Sequence, residues 1–121
     1  MALNLDVSRT GDIAVVRCHG RIVFGKEADE LRGFILSLLK ETNRIVLNLA
    51  WIVYVDSSGL GTLVASFISA RHLGAEIKFA ALSPRARRLF TITKVDRLFE
   101  VYDSAEEAVK SFLPHPEAAA S

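Results

Sequence analysis

A short apolar run, Ile45-Val46-Leu47-Asn48-Leu49, is followed a few residues later by Val55-Asp56-Ser57-Ser58-Gly59-Leu60-Gly61-Thr62. The first has the length and residue types of a buried strand. Beyond the second, Leu60, Leu63, Val64, Phe67 and Ile68 recur at helical spacing. The centre of the chain therefore reads strand, loop, serine pair, helix. Asp56, Ser57 and Ser58 each carry an oxygen able to accept from the unpaired N–H groups of a first helical turn. A hydroxyl held there sits at the positive end of a helix, where anions are favoured and several N–H donors can serve one phosphate. This junction suits a reversible phosphoserine better than a catalytic serine. The plainer alternative is a helix cap whose hydroxyls do nothing more.

The flanking sequence says what kind of sheet surrounds that junction. Leu3, Leu5 and Val7 alternate with Asn4, Asp6 and Ser8, the period of a half-buried strand. Ile13 to Cys18 forms the next strand, with Arg9 to Asp12 as the loop of an antiparallel hairpin. Gly20 closes that strand, and Arg21 to Gly25 leads into a helix with Ala28, Leu31, Ile35, Leu38 and Leu39 on one face. Thr42-Asn43 breaks this helix ahead of the buried strand. Trp51 to Val55 reads as a partly buried loop. The central helix runs to about Leu73 and stops at Gly74. Ile77 to Leu82 is a strand, and Ser83-Pro84 opens a short helix with the proline at its first position. Leu98 to Tyr102 adds a short strand. Ser104 and Glu107 make a capping box for a last helix through Ala108, Val109 and Phe112.

This alternation predicts an α/β fold: a mixed, mainly parallel sheet opened by an N-terminal antiparallel hairpin, with about four helices. Residues 1–113 are expected to form the domain and residues 114–121 a disordered tail. Strand-to-helix connections are the usual place for a site in such sheets, and the one ending at Asp56 is of that kind.

Half of the 121 residues are hydrophobic, enough for one core. A formal net charge of +1 gives no electrostatic reason to expect nucleic acid or an anionic membrane. The single cysteine, Cys18, leaves no internal disulfide and fits a reducing compartment. No apolar stretch approaches a membrane span, and the first residues lack the pattern of a signal peptide. The expectation is a cytoplasmic protein with no membrane insertion. His19, His72 and His115 stand alone, without metal-ligand spacing. Gly59 and Gly61 lack the lysine of a phosphate-binding loop, and no nucleophile elbow is present. Arg85, Arg87 and Arg88 either bind a phosphate or acidic partner or form a solvated helix face. Trp51 and Tyr54 either meet a partner or pack.

Taken together these residues resemble the single-domain STAS proteins of the anti-sigma factor antagonist family, from about Leu3 to Phe112. The resemblance rests on Ile45 to Leu49 followed by Val55-Asp56-Ser57-Ser58-Gly59-Leu60-Gly61. Weaker matches follow in the right order: Gly20-Arg21-Ile22, Ser83-Pro84, Arg88-Leu89-Phe90 and Val95-Asp96-Arg97-Leu98-Phe99. It implies a STAS fold and a regulatory protein, not an enzyme, with no cofactor and no metal. In that family the first serine of the block is phosphorylated by the partner, an anti-sigma factor that is a serine kinase; that role falls on Ser57. The unphosphorylated protein binds the anti-sigma factor, which releases its sigma factor, and a serine phosphatase restores the active form. The implied partner surface comprises Asp56, Ser57, Ser58, Gly59, Leu60 and Gly61, with Arg21 and Phe24 on a segment expected beside the serine loop. Arg21 and Val23 stand where the family often has acidic residues. Two other roles remain open at this point. One is a STAS scaffold or accessory subunit in a stress-signalling assembly or a lipid or anion transporter; the other is an enzyme or nucleotide binder using Asp56, Ser57 and the glycines.

Overall fold

The computed structural model describes residues 3–113. The tail expected at residues 114–121 lies outside the described residues. In chain order the elements are β1 (Asn4–Thr10), β2 (Ile13–Ile22), α1 (Lys26–Leu38), β3 (Arg44–Val55), α2 (Ser57–His72), β4 (Glu76–Ala80), α3 (Pro84–Ile92), a 3-10 turn (Val95–Arg97), β5 (Val101–Tyr102) and α4 (Ala105–Phe112). The strands form one sheet in the order β1-β2-β3-β4-β5. β1 runs antiparallel to β2, and the remaining neighbours are parallel. This is the mixed sheet with an antiparallel opening that the sequence predicts. The hairpin is tighter than expected: Thr10 already faces Ile13, leaving only Gly11 and Asp12 as the turn. Gly11 has a φ of 61°, a conformation that costs glycine nothing.

Side chains alternate between two unequal faces of the sheet. Val16, Cys18, Ile22, Ile45, Leu47, Leu49, Ile52 and Val55 join the larger core with Leu31 and Ile35 of α1 and Leu60, Leu63 and Phe67 of α2. The opposite face is smaller: Ile13, Val15, Val46 and Ala80 lie under Ala108 of α4. Phe79 stacks on Phe99 and both meet Phe90 edge to face, with centroids 4.3–6.2 Å apart, tying α3 to β4. Burial pushes the Cys18 thiol up to about 12, because a thiolate there would lose its hydration. Lys78 is buried beneath α4, its Nζ 2.7 Å from Ser111 Oγ and 4.2 Å from the Phe112 ring centre. The exposed carboxylates of Glu76 and Glu100 lie 3.6 and 3.7 Å from the same ammonium. A cation in this position both balances those acids and faces the negative end of a helix. Among the described residues no helix is long and apolar enough to cross a membrane.

Trp51 to Val55 is not a loop but the second half of a twelve-residue strand. The irregular pairing between Arg17 and His19 of β2 and Asn48 and Trp51 of β3 explains the difference. At that bulge Ala50 and Trp51 are both exposed, so the inward residues run Leu49, Ile52, Val55 instead of every second position. β2 likewise continues through Gly20, where a second shift in pairing and a φ of 117° let it reach Ile22. Both long strands thus deliver their ends to the same place, with Ile22 opposite Val55.

Candidate functional site

The junction after β3 is built around one carboxylate. Asp56 is the N-cap of α2, in extended backbone, and its Oδ1 accepts the Gly59 N–H at 2.6 Å. Its other oxygen accepts the Phe24 N–H at 3.1 Å, and its own N–H donates to the Ile22 carbonyl at 3.3 Å. A single side chain therefore closes the first turn of α2 and pins the exit of β2 beside it. The expectation that Arg21 to Phe24 lies next to the serine loop is met through these bonds.

With Asp56 as the cap, Ser57 and Ser58 become the first two residues of the helix, and both are exposed. Among the described residues neither hydroxyl makes a hydrogen bond. The three candidate cap residues are thus divided: the aspartate holds the backbone, and the serines present free hydroxyls at the positive helix end. Gly59 is buried against β2, and a Cβ there would lie 1.9 Å from the Ile22 carbonyl oxygen. Leu60 points into the core at 5% exposure, whereas Gly61 is exposed with nothing within 4 Å of a would-be Cβ. On the neighbouring segment Phe24 is 78% exposed and Arg21 has its Nε 3.9 Å from Glu27. His72 ends the sixteen-residue helix that Ser57 begins, about 22 Å away at 1.5 Å per residue. His19 stacks on Trp51 with ring centres 4.9 Å apart.

No residue pattern announces the groove beside this junction. A groove of about 290 Å³ runs from Ile52 through Ser57 on one side to Ser83, Arg85, Ala86 and Leu89 on the other. Ser83 caps α3 by accepting the Ala86 N–H at 3.1 Å, so α3 starts at the same end of the sheet as α2. The Ser83-Pro84 start signal and the predicted parallel sheet place the two helix starts at one end of the sheet, but carry no sign of the gap between them.

Removing the Asp56 carboxylate strands two backbone donors at once. Asp56→Ala is expected to destabilise the fold by about 2 kcal/mol, the upper end for losing an N-cap. Asp56→Asn, which keeps one acceptor oxygen, should lose less. Urea unfolding of the three proteins measures this; an alanine variant as stable as the native chain would show that the cap does not hold the junction.

A mixed five-stranded sheet with an aspartate-capped, exposed serine pair following its central strand is the feature to compare with known families. Residues 4–108 match the STAS domain family. The anti-sigma-B factor antagonist of Bacillus subtilis strain 168 is 30% identical over 111 residues, covering 91% of this chain and 100% of that protein. The crystal structure of an anti-sigma factor antagonist from Mycobacterium paratuberculosis superposes with a TM-score of 0.80 at 21% identity, covering 91% of this chain and 93% of that one. The Bacillus cell fate determinant SpoIIAA in its phosphorylated form gives a TM-score of 0.70 at 19% identity, covering 93% of this chain and 100% of that one. The chain belongs to the STAS domain family and, within it, to the anti-sigma factor antagonists.

Proposed function

We propose that the chain is a phosphorylation-switched antagonist of an anti-sigma factor. Unphosphorylated, it binds that factor, a serine kinase, through Asp56 to Gly61 together with Arg21 and Phe24. The kinase phosphorylates Ser57 and the complex comes apart; a serine phosphatase reverses the modification. The observation that carries this reading is the free, exposed hydroxyl of Ser57 at the first position of α2, left without a structural task because Asp56 makes the cap.

The chemistry favours a switch without rearrangement. A phosphate adds roughly −1.5 to −2 charges at neutral pH. The positive end of α2 can accommodate part of that charge, and the adjacent Asp56 opposes it. The net effect on the fold is therefore small, while a partner surface that met a neutral hydroxyl now meets an anion. Incubating the purified chain with ATP and the serine kinases of its own genome, followed by intact-mass and fragment analysis, is expected to give one phosphate on Ser57 and none on Ser57→Ala. Absence of phosphate with every kinase would discard the switch and leave a scaffold or transporter-accessory role for the same fold.

A further inference from the structure

Where β3 outruns β4, one edge of the strand has no neighbouring strand, and the start of α3 stands across the groove from it. β4 pairs with β3 only from Arg44 to Asn48, then leaves the sheet through Ala81, whose φ is 61°. β2 accompanies β3 on the other side as far as Val55. Among the described residues, Trp51 to Val55 make no backbone hydrogen bond outside the β2 ladder. Asp56 donates to Ile22 on the β2 side. Backbone groups alternate along a strand, so the Val55 N–H, one residue before that donor, faces the free side, while Val53 sits at the second pairing shift, which skips it between Ile52 and Tyr54. Proteins usually blunt such an edge with charge, proline or a covering loop. This one instead carries Val53 and Tyr54, which are 60% and 46% exposed.

The free edge opens onto the groove. Its apolar lining comes from Ile52, Val55, Ala86 and Leu89, and its cation is Arg85, which has no ion pair among the described residues. The acid lining the groove, Asp56, is already occupied by two N–H donors. At about 290 Å³ the groove is at the lower limit of small-ligand sites, roughly 300–1,000 Å³, and one wall is open backbone. An extended polypeptide satisfies all of these features together: its main chain pairs the edge, alternate side chains fill the apolar lining, and a carboxylate answers Arg85.

We propose that an extended segment of the anti-sigma partner adds as a strand to the free edge of β3, with an acidic side chain paired to Arg85. This rests on the function proposed above and names how that partner is held. It also ties the groove to the switch, because Ser57 lines it too. A phosphate on Ser57 competes with the partner's carboxylate for Arg85 and repels it.

The test is residue-resolved amide hydrogen exchange on the full chain, alone and with the kinase that modifies Ser57, bound without ATP. The Val55 amide is expected to exchange at least 100-fold more slowly in the complex. Arg85→Glu, at an exposed position, should weaken kinase binding tenfold or more with an unchanged melting temperature. If the kinase binds and this amide exchanges as before, strand addition is wrong and the Ser57 switch stands. If Arg85→Glu binds as tightly as the native chain, the acidic contact is wrong. Protection that rises with the concentration of the chain alone would assign the edge to a second copy and overturn the proposal. If no kinase binds, both the switch and the groove assignment fall.

Discussion

Gly59→Ala is expected to cost about 3 kcal/mol or more, the top of the usual range for overpacking a close contact. The new methyl carbon would stand 1.9 Å from the Ile22 carbonyl oxygen and 2.7 Å from its carbon. Both are backbone atoms, so no rotamer change relieves the clash. Ile22 is also held by the Asp56 N–H, so β2 and α2 can separate only by breaking that bond. For a domain of this size the melting temperature should fall by roughly 10 °C or more. Gly61→Ala is the matched control. Its Cβ meets nothing within 4 Å, and the helix gains from the better propensity of alanine, about 0.8–1 kcal/mol. Thermal unfolding of the two variants should therefore show shifts of opposite sign. A small effect at Gly59 would mean that α2 is not seated on the end of β2 as described. The contrast separates the two glycines by task. Gly59 lets the serine pair and the Arg21–Phe24 segment become one surface, whereas Gly61 has no packing reason to lack a side chain. At Gly61 a bulky residue should impair partner binding and leave stability intact.

The sequence made the fold legible where periodicity and cap chemistry agreed. The hairpin, the buried start of β3, and the starts of α2, α3 and α4 all carried residue signals with a direct physical meaning. What misled was the bulge. Two consecutive exposed residues, Ala50 and Trp51, erase the alternation that marks a strand, and the pairing that keeps the backbone extended comes from β2, far away in sequence. The helix junction was legible at its first layer: Asp56, Ser57, Ser58 and the glycines stand out by type and spacing. Their division of labour was not, because Asp, Ser and Ser are all sound caps. Only the Phe24 amide, brought in by the longer β2, shows why the aspartate takes both backbone donors. The groove was invisible for a related reason. It is made by the absence of a neighbour beside β3, and no residue pattern records where a strand lacks a partner.

Phosphorylation of Ser57 is expected to weaken partner binding by roughly a hundred- to a thousandfold, about 3–4 kcal/mol, with little change in the fold. The size of the loss is set by where the charge lands. Ser57 is exposed, so the free chain keeps the phosphate hydrated, and the helix end contributes a fraction of a kcal/mol that Asp56 offsets. In the proposed complex the same group has to shed water against the partner and competes with the partner's carboxylate for Arg85. Ser57→Asp brings one charge instead of nearly two and a shorter reach, so it should weaken binding by about tenfold, the equivalent of ~1.4 kcal/mol. Ser57→Ala removes only a hydroxyl that bonds to nothing among the described residues, and should bind as tightly as the native chain while no longer responding to the kinase. Titration calorimetry of the four forms at two salt concentrations tests this ordering. Exposed charges more than a Debye length apart, about 10 Å at 0.1 M salt, are largely screened, so a loss that vanished at high salt would place the phosphate at the rim of the interface. A loss that persists would place it inside, where desolvation dominates. Equal affinities for all four forms would sink the switch altogether, and Asp56 to Gly61 would then be a well-made helix start with no signalling role.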